Sequence, residues 1–522
     1  MAIDLIAQTG LSSLPVIYYL EQLFRRHFLK FSGAATATSG LLLAGLSTEA
    51  AAQNVSVPKH WDETFDVVVI GSGFAGLSAA IEARKAGANV IVLEKMPVPG
   101  GNSTINGGGM AAVGSDVQKA HGVKDSVDLM VADMYKAGLG LNYPQQARMV
   151  AEKSNEAFEW CRDYLGVKFK DTLAHFGGHA VPRTHTTTIQ SGSGIVQPML
   201  QKCDELGVQL QKKVYVKRLI VDGERVVGLE VLPNYRQGKE DASNTKFIKA
   251  NKGVVMAAGG FAADVLYRTT QDPRLTAELD TTNHKGATAE CLKELIRVGG
   301  NPVQLSWIQL GPWASPDEKG FGLAPIFAGY AAYPNGIMVD PQTGKRFVNE
   351  LADRKIRADA IIKTGHPAIG ICDEVGMQPA KHVMDKLLER GVVHKFDTLN
   401  ELAAFYKIPE AELLAQAERY NRFVAQGKDS EFSKPFDMGQ KTLGQAPFYG
   451  VRFWPKAHHT MGGIEIDTQA RVVNIETRKP IPGLYAAGEI TGGTHGACRL
   501  GTVAIPDCIV FGRIAGQQVV KA

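Results

Sequence analysis

The stretch that decides the fold is FDVVVIGSGFAGLSAAIEARKAGANVIVLE, residues 65–94. Its first six residues are mostly β-branched and predict a buried strand, and the turn that follows carries Gly71, Gly73 and Gly76 in a G-x-G-x-x-G spacing. A helical pattern comes next, and then a second β-branched run that ends in Glu94. Strand, glycine turn, helix, strand and acid in this order predict a βαβ unit that binds a dinucleotide.

Each glycine of this turn has its own physical role. Gly71 permits the tight turn, Gly73 lets the backbone approach a pyrophosphate, and Gly76 lets the helix pack on the sheet. The N-terminus of the helix directs N–H groups and its positive dipole toward the phosphates. Glu94 is placed to accept hydrogen bonds from the ribose hydroxyls. The predicted dinucleotide contacts in this unit are Gly71, Gly73, Ala75, Gly76, Glu94 and Lys95.

Three later segments carry glycines or a carboxylate that suit the same ligand. They are residues 100–109 (GGNSTINGGG), residues 253–260 (GVVMAAGG) and residues 481–489 (IPGLYAAGE). Each one alone is also explained as an ordinary strand and turn. In this order they resemble the FAD-binding flavoproteins of the two-dinucleotide-fold type, in which the last segment supplies the acid that binds the ribityl chain. The resemblance assigns the following residues to FAD: Gly101, Asn102, Ser103, Gly107, Gly108, Gly109, Ala258, Gly259, His458, Gly488, Glu489, Arg499, Ala504 and Ile505.

The histidines and cysteines bear on how cofactors are held. No histidine lies between Glu94 and Met110, where membrane-bound relatives attach FAD covalently, so non-covalent FAD is expected. The sequence has no CxxCH motif, so we expect no haem attached to this chain. Its 6 cysteines show no CxxC pairing and no metal-ligand spacing. They predict free, mostly buried thiols and no metal site.

Three motifs narrow the family. They are GKRFVNE (residues 344–350) followed by Arg354, HHTMGG (residues 458–463) and GGTHGACRL (residues 492–500). These motifs resemble the fumarate reductase/succinate dehydrogenase flavoprotein superfamily, and within it the soluble periplasmic flavocytochrome c type. The resemblance runs from about residue 65 to the C-terminus. It implies an α/β fold with a Rossmann-like FAD-binding domain of the two-dinucleotide-fold type and an inserted α+β capping domain.

The resemblance also implies roles for four residues. Arg354 matches the arginine that donates a proton, His459 and Arg499 match the pair that binds a substrate carboxylate, and His458 matches a histidine at the edge of the flavin ring. The chemistry is consistent, because a guanidinium presents a planar fork to a carboxylate and polarises a conjugated C=C bond that accepts a hydride from FAD N5. Arg346 and Arg357 remain rivals for the proton donor, and His458 has simple packing as its alternative.

The family pattern is interrupted between residues 310 and 332, which contain no His, Thr or Arg. In this register Gly311 and Ala328 replace the histidine and threonine that hold a second carboxylate, and Gly329 and Ala332 replace a proton-relay pair. The segment and its flanks are instead rich in aromatic residues: Trp307, Trp313, Phe321, Phe327, Tyr330 and Tyr333. A second carboxylate buried there would lack partners, at a cost of several kcal/mol.

The pattern therefore favours an FAD-dependent oxidoreductase acting on CH–CH bonds, with an α,β-unsaturated monocarboxylate such as methacrylate, acrylate or an aryl acrylate as substrate. Tyr330 is the predicted substrate contact in the aromatic segment, although these aromatic residues are also explained as ordinary core. Two alternatives remain open: a genuine fumarate reductase, and a flavin dehydrogenase acting on a cyclic ketone such as a ketosteroid.

The amino terminus predicts export. Arg25 and Arg26 precede a weakly apolar, small-residue stretch, which is typical of a twin-arginine signal, although a membrane segment is the alternative. The predicted protein is periplasmic, without a membrane span once mature, and receives electrons from a separate c-type cytochrome. A net charge of +4 in 522 residues gives no indication of nucleic-acid binding. The expected domains are the export signal at 1–52, the FAD-binding domain at 53–310 and 458–522, and the capping domain at 311–457.

Overall fold

A computed structural model describes residues 57–237, 244–436 and 439–522. The export signal predicted over residues 1–52 lies outside these ranges. Among the described residues, no helix is both long and apolar enough to cross a membrane.

Nineteen strands occur in the described ranges. They are β1 (Glu63–Ile70), β2 (Val90–Glu94), β3 (Gly109–Ala111), β4 (Phe169–Ala174), β5 (Thr184–Thr187), β6 (Gln209–Lys212), β7 (Tyr215–Asp222), β8 (Arg225–Leu232), β9 (Lys246–Met256), β10 (Pro302–Val303), β11 (Ile308–Gly311), β12 (Ile337–Val339), β13 (Ala368–Asp373), β14 (Val393–Phe396), β15 (Phe448–Phe453), β16 (Lys456–Thr460), β17 (Gly463–Ile464), β18 (Arg471–Val473) and β19 (Pro480–Ala486).

The α-helices of the same ranges are α1 (Phe74–Lys85), α2 (Gly101–Ile105), α3 (Asp116–Ala120), α4 (Val127–Ala137), α5 (Pro144–Glu159), α6 (Ser193–Glu205), α7 (Val265–Gln271), α8 (Glu290–Arg297), α9 (Ala324–Phe327), α10 (Tyr333–Asn335), α11 (Arg354–Thr364), α12 (Glu374–Met377), α13 (Lys381–Glu389), α14 (Leu399–Tyr406), α15 (Glu410–Gln426) and α16 (Ala504–Val519). Two π-helical segments, Trp160–Tyr164 and Ala328–Ala332, and a 3₁₀ turn, Gln378–Ala380, complete the set.

The central sheet has the order β18-β19-β9-β1-β2-β6, and β8 joins it on β9, with β7 beyond. Strands β19, β9, β1, β2 and β6 run parallel. Strand β1 pairs on both sides, and its residues 67–69 are fully buried, which explains the unbroken run of valines. The predicted α/β fold built on residues 65–94 is confirmed.

The glycine turn after β1 is sterically determined. Gly71 has a φ of 97°, a left-handed conformation that favours glycine. A β-carbon on Gly76 would lie 1.9 Å from the Gly71 carbonyl oxygen, so α1 approaches the turn too closely for any side chain. The parallel strands end at this edge of the sheet, and ligands of open α/β sheets bind there.

A second sheet, with the order β12-β13-β15-β14, is antiparallel throughout. One hydrophobic cluster packs Trp313 and Phe327 with Phe453, and another packs Leu402 with Tyr420. This sheet lies within the segment predicted as the capping domain, whose boundaries stay a prediction. The six cysteines are free, and four of them are buried, which confirms the expectation of free, mostly buried thiols.

We expect Gly76→Ala to abolish retention of FAD and to lower the free energy of unfolding by about 2 kcal/mol or more, because backbone must shift to relieve the contact. Flavin absorbance of the purified protein and urea unfolding measure the two effects. Gly444→Ala is the control, because a β-carbon there meets nothing within 4 Å. Full flavin content and unchanged stability in Gly76→Ala would contradict the steric argument.

Candidate active site

The edge of the sheet beside the glycine turn carries Glu94 and Lys95. The Glu94 carboxylate accepts hydrogen bonds from Ser72 N (3.2 Å), Ser72 Oγ (2.5 Å) and Met96 N (2.7 Å). A carboxylate has about four acceptor positions, so one remains for a ligand such as a ribose hydroxyl. Lys95 donates to Thr288 Oγ1 at 2.6 Å. Gly71, Glu94, Lys95 and Ala258 line a cavity of about 60 Å³, which fits part of the predicted dinucleotide site.

A larger cavity, of about 200 Å³, begins at the start of α1 and continues to a cluster of arginines and histidines. Ser103 Oγ accepts a hydrogen bond from Phe74 N at 3.0 Å, which brings α2 against the N-terminus of α1. Asn102 is held by Asn283 at 2.6 Å. The predicted FAD residues lining this cavity are Asn102, Ser103, Gly107, Gly109, His458, Glu489, Arg499, Ala504 and Ile505.

Seven predicted FAD residues are not among those that line the two cavities: Gly73, Ala75, Gly76, Gly101, Gly108, Gly259 and Gly488. Several of them make the close approaches that shape the walls. A β-carbon on Gly488 would meet the Ala75 β-carbon at 2.9 Å, and one on Gly108 would meet Thr187 Oγ1 at 2.4 Å. Because these glycines have no side chain, neighbouring segments approach one another closely, which suits a bulky ligand that contacts the backbone.

Arg354 and Arg499 meet through one amide that sequence reasoning missed. Arg354 is the first residue of α11, and Arg499 lies in the loop between β19 and α16. Gln309 Oε1 accepts a hydrogen bond from Arg354 Nη1 at 3.0 Å and another from Arg499 Nη2 at 3.2 Å. Gln309 Nε2 donates to the Arg499 carbonyl oxygen at 2.8 Å. Both guanidiniums line the larger cavity, so the structure brings together the two arginines that the motifs singled out.

His458 is positioned by the same cluster. Arg499 Nη2 lies 3.2 Å from His458 Nε2, and Thr282 Oγ1 lies 2.7 Å from His458 Nδ1. A guanidinium can only donate, so Nε2 accepts, and Nδ1 carries the proton and donates to Thr282. Burial, with Arg354 and then Arg499 nearby, holds the pKa of His458 well below its usual value. His458 is therefore neutral, and it packs edge-on against Trp313 at 4.5 Å between ring centroids.

His459 faces the cavity opposite Gln309 in the β11–β16 pair. Its Nδ1 lies 3.3 Å from Glu489 Oε2. Burial lowers the pKa of His459 to about 4, even though Glu489 acts in the other direction. Burial raises the pKa of Glu489, but His459 and the Thr460 N–H outweigh it and leave that pKa lowered. At neutral pH the pair is thus a neutral imidazole beside a carboxylate.

One wall of the cavity is apolar and aromatic, and its residues include Phe176, Trp313, Phe321, Ile326, Tyr330, Tyr333 and Leu351. This wall meets the arginines, since the Arg354 guanidinium lies 5.6 Å from the centre of the Trp313 ring. Of the four family positions assigned by the predicted register, only one lines this cavity. Gly329, Tyr330 and Tyr333 line the cavity, whereas Gly311, Ala328 and Ala332 do not. Ala328 and Ala332 begin and end the π-helical segment Ala328–Ala332, and both pack in the hydrophobic core. Gly311 is also closed to a larger residue, because its β-carbon would meet the Trp313 ring at 2.9 Å.

The two rivals for the proton donor differ in position. Arg346 does not line the cavity, since its buried guanidinium pairs with Glu350 and Asp429, each at 2.8 Å. Arg357 does line the cavity, one helical turn after Arg354. Among the described residues, no group of three or more His, Cys, Asp or Glu side chains could hold a metal ion.

The comparisons with known proteins agree with this geometry. A family model described as "FAD binding domain" matches residues 66–505. The chain belongs to that family. It is 44% identical to the acrylate reductase flavoprotein subunit of Shewanella woodyi, over 96% of this chain and 99% of that protein. It is 35% identical to a fumarate reductase (cytochrome) of Shewanella frigidimarina, over 92% of this chain and 81% of that protein.

A solved structure of the open conformation of a flavocytochrome c3 fumarate reductase matches with a TM-score of 0.69 and 35% identity, covering 88% of this chain and 79% of that chain. The predicted fold class and the resemblance to the fumarate reductase flavoprotein superfamily are confirmed. The chain is an FAD-dependent oxidoreductase, and FAD is its cofactor. Non-covalent attachment and the roles of single residues stay predictions.

We expect Gln309→Leu to retain FAD but to lower kcat/KM about tenfold to a hundredfold, because two buried guanidiniums lose their shared acceptor and their alignment. The same change should lower the free energy of unfolding by about 1–3 kcal/mol. Steady-state kinetics and urea unfolding measure both. Gln378→Leu, which alters an exposed glutamine bonded to Glu374, is the control. Unchanged kinetics in Gln309→Leu would show that the Gln309 amide does not contribute to the site.

Proposed function

We propose that this protein reduces the C=C bond of an α,β-unsaturated monocarboxylic acid such as acrylate, methacrylate or an aryl acrylate. The observation that carries the proposal is a single cavity that combines Arg354 and Arg499 with an aromatic surface. The likeness to an acrylate reductase flavoprotein subunit supports the substrate class.

Arg499 is the anchor for the substrate carboxylate. It is buried and remains charged, and its Nε has no hydrogen-bond partner among the described residues, so a donor is available. Neutral His459 directs Nδ1 to Glu489, and the residue lines the cavity. Arg499 therefore carries the positive charge that binds the substrate carboxylate at neutral pH. His459 is the uncharged member of the pair.

Arg354 donates the proton. When bound, FAD supplies the hydride that adds to the β-carbon of the enoate. Arg354 gives its proton to the α-carbon, while Arg499 withdraws electron density through the carboxylate. Burial, together with Arg499 and Arg357, lowers the pKa of Arg354 well below its ordinary value, which makes an arginine acid less unfavourable. The apolar wall excludes water from the reacting carbons.

The location of the enzyme and its electron donor are inferred from the sequence. The twin-arginine pattern supports a periplasmic location. This route exports folded proteins, which suits an enzyme that acquires FAD before export. No CxxCH motif occurs, so we infer that a separate c-type cytochrome supplies the electrons.

Fumarate reduction is the second candidate, and one observation favours it. Arg357 is a third guanidinium in the cavity and could hold a second carboxylate. Against it, the Tyr333 ring at 4.8 Å and the Glu350 carbonyl oxygen at 3.2 Å fix the Arg357 guanidinium, so that only its unpaired Nε is left for a second carboxylate.

We expect Arg499→Ala to retain FAD and to lower kcat/KM for every enoate by at least about a hundredfold, because the charged anchor is lost. Titration of the flavin spectrum with acrylate should show no saturable binding. Arg274→Ala is the matched control, since this arginine is exposed and pairs only with Asp272 among its described contacts. Activity above about a tenth of the wild type would place the anchor elsewhere.

We expect a monocarboxylic enoate to exceed fumarate in kcat/KM by at least about tenfold, because a second carboxylate against the aromatic wall lacks a partner. Competition assays with reduced viologen as electron donor measure the ratio. Gly329→Ser should lower the ratio of kcat/KM for the monocarboxylate to that for fumarate. A β-carbon there meets only Phe176, at 3.5 Å, and the added hydroxyl can donate to a carboxylate. Fumarate as the better substrate of the wild type would support the second candidate instead.

A further inference from the structure

The larger cavity contains more positive than negative charge. Among the described residues that line it, Arg354, Arg357 and Arg499 are the cations, and Glu489 is the one carboxylate. Glu489 is already engaged, since it accepts from Thr460 N at 3.0 Å and lies beside His459. In a buried site such like charges repel strongly, because the effective dielectric constant is far below that of water.

Arg357 is held there without an ion-pair partner among the described residues. Its Nη1 donates to the Glu350 carbonyl oxygen at 3.2 Å, and its guanidinium lies 4.8 Å from the centre of the Tyr333 ring. Its Nε is buried without a hydrogen-bond partner among the described residues. The Tyr333 hydroxyl donates to the Pro312 carbonyl oxygen at 2.8 Å, so the ring is fixed. These partners hold the position of Arg357, and the nearby carboxylates of Asp353 and Glu350 offset part of its charge without forming an ion pair with it among the described residues.

Arg346 shows that the chain pairs a buried arginine elsewhere. Arg346 contacts two carboxylates, those of Glu350 and Asp429, each at 2.8 Å. Arg357 lies close in sequence and is also buried, yet it faces a carbonyl oxygen, an aromatic ring and the cavity. A buried cation without a direct ion pair is costly in a protein interior, which indicates that the site uses its charge.

We propose that Arg357 is a positioning residue that acts through Arg354, its positive charge making the Arg354 guanidinium a stronger acid toward the substrate. This inference rests on the proposed function. In the step, an N–H bond of Arg354 breaks, its electron pair stays on the guanidine, and the proton forms the C–H bond at the α-carbon. Arg354 thereby loses the positive charge that Arg357 repels, and a proton from solvent water restores it after product leaves.

The charged and titratable groups around Arg354 set the sign of the effect. Burial, Arg499 and Arg357 lower the pKa of Arg354, and Cys498 acts in the opposite direction. The other groups facing this cluster are His458, His459, His175, His179, Tyr333, Asp353, Glu350 and Glu489. Removal of the Arg357 charge should therefore raise the pKa of Arg354, weaken it as an acid, and move the alkaline limb of the kcat profile to higher pH.

The test compares Arg357→Gln and Arg357→Lys with the wild-type holoenzyme, using acrylate and reduced viologen across pH. Arg357→Gln should lower kcat about tenfold, move the alkaline limb up by about one pH unit, and leave KM for acrylate within about threefold. Arg357→Lys keeps the charge and should recover most of kcat at neutral pH. Its kcat should fall relative to wild type as pH rises through the lysine pKa, because an ammonium deprotonates where a guanidinium does not.

Lys363→Gln is the control, because it removes a cation from an exposed position of the same helix and should change nothing. Flavin content and thermal melting show whether each variant is folded, and Arg357→Lys carries the test if Arg357→Gln loses FAD. Equal losses in the Gln and Lys variants, or an unmoved alkaline limb, would overturn the proposal. A rise in KM confined to dicarboxylates would also overturn it and make Arg357 an anchor. A wild type that reduces no enoate would overturn the proposed function itself.

Discussion

Two guanidiniums, those of Arg354 and Arg499, share one amide oxygen, and the arrangement of the site depends on that contact. Gln309 lies on β11, Arg354 begins α11, and Arg499 belongs to the loop before α16. Positive charges repel, so three segments can be held in this way only if a fixed acceptor lies between them. Gln309 is fixed because its strand pairs with β16, the strand that also presents His458 and His459. The strand pair thus fixes the acceptor that Arg354 and Arg499 share.

Charge in this protein is handled differently in the core and in the cavity. Beside α15, Arg346, Glu350, Asp429 and Lys434 form a buried network in which opposite charges neutralise one another. In the cavity, three arginines meet one occupied carboxylate. A buried pair stabilises a position, whereas an uncompensated cation attracts an anion and lowers the pKa of neighbouring cations. The first arrangement suits structure, and the second suits binding of an acid and transfer of a proton.

The aromatic wall depends on backbone as much as on composition. The π-helical segment Ala328–Ala332 places Gly329 and Tyr330 at the cavity and its two terminal alanines in the core. Tyr330 packs edge-on against Phe176 at 5.8 Å, and Trp313 packs against His458. These rings leave an apolar surface in the same cavity as the arginines, which is suited to a ligand with one charged end.

The sequence by itself determined the βαβ unit at residues 65–94, the α/β class, FAD as cofactor and the family, because strand periodicity and glycine spacing are local properties that one segment carries alone. Motifs also named Arg354 and Arg499. Only the tertiary structure decided that Gln309 joins them, since the amide contacts residues 45 and 190 positions away. It also decided that Tyr333 and Arg357 face the cavity while Ala328 and Ala332 do not. A π-helical turn changes which side chains face a wall without leaving a residue pattern that predicts it, and contacts between distant segments exist only after folding.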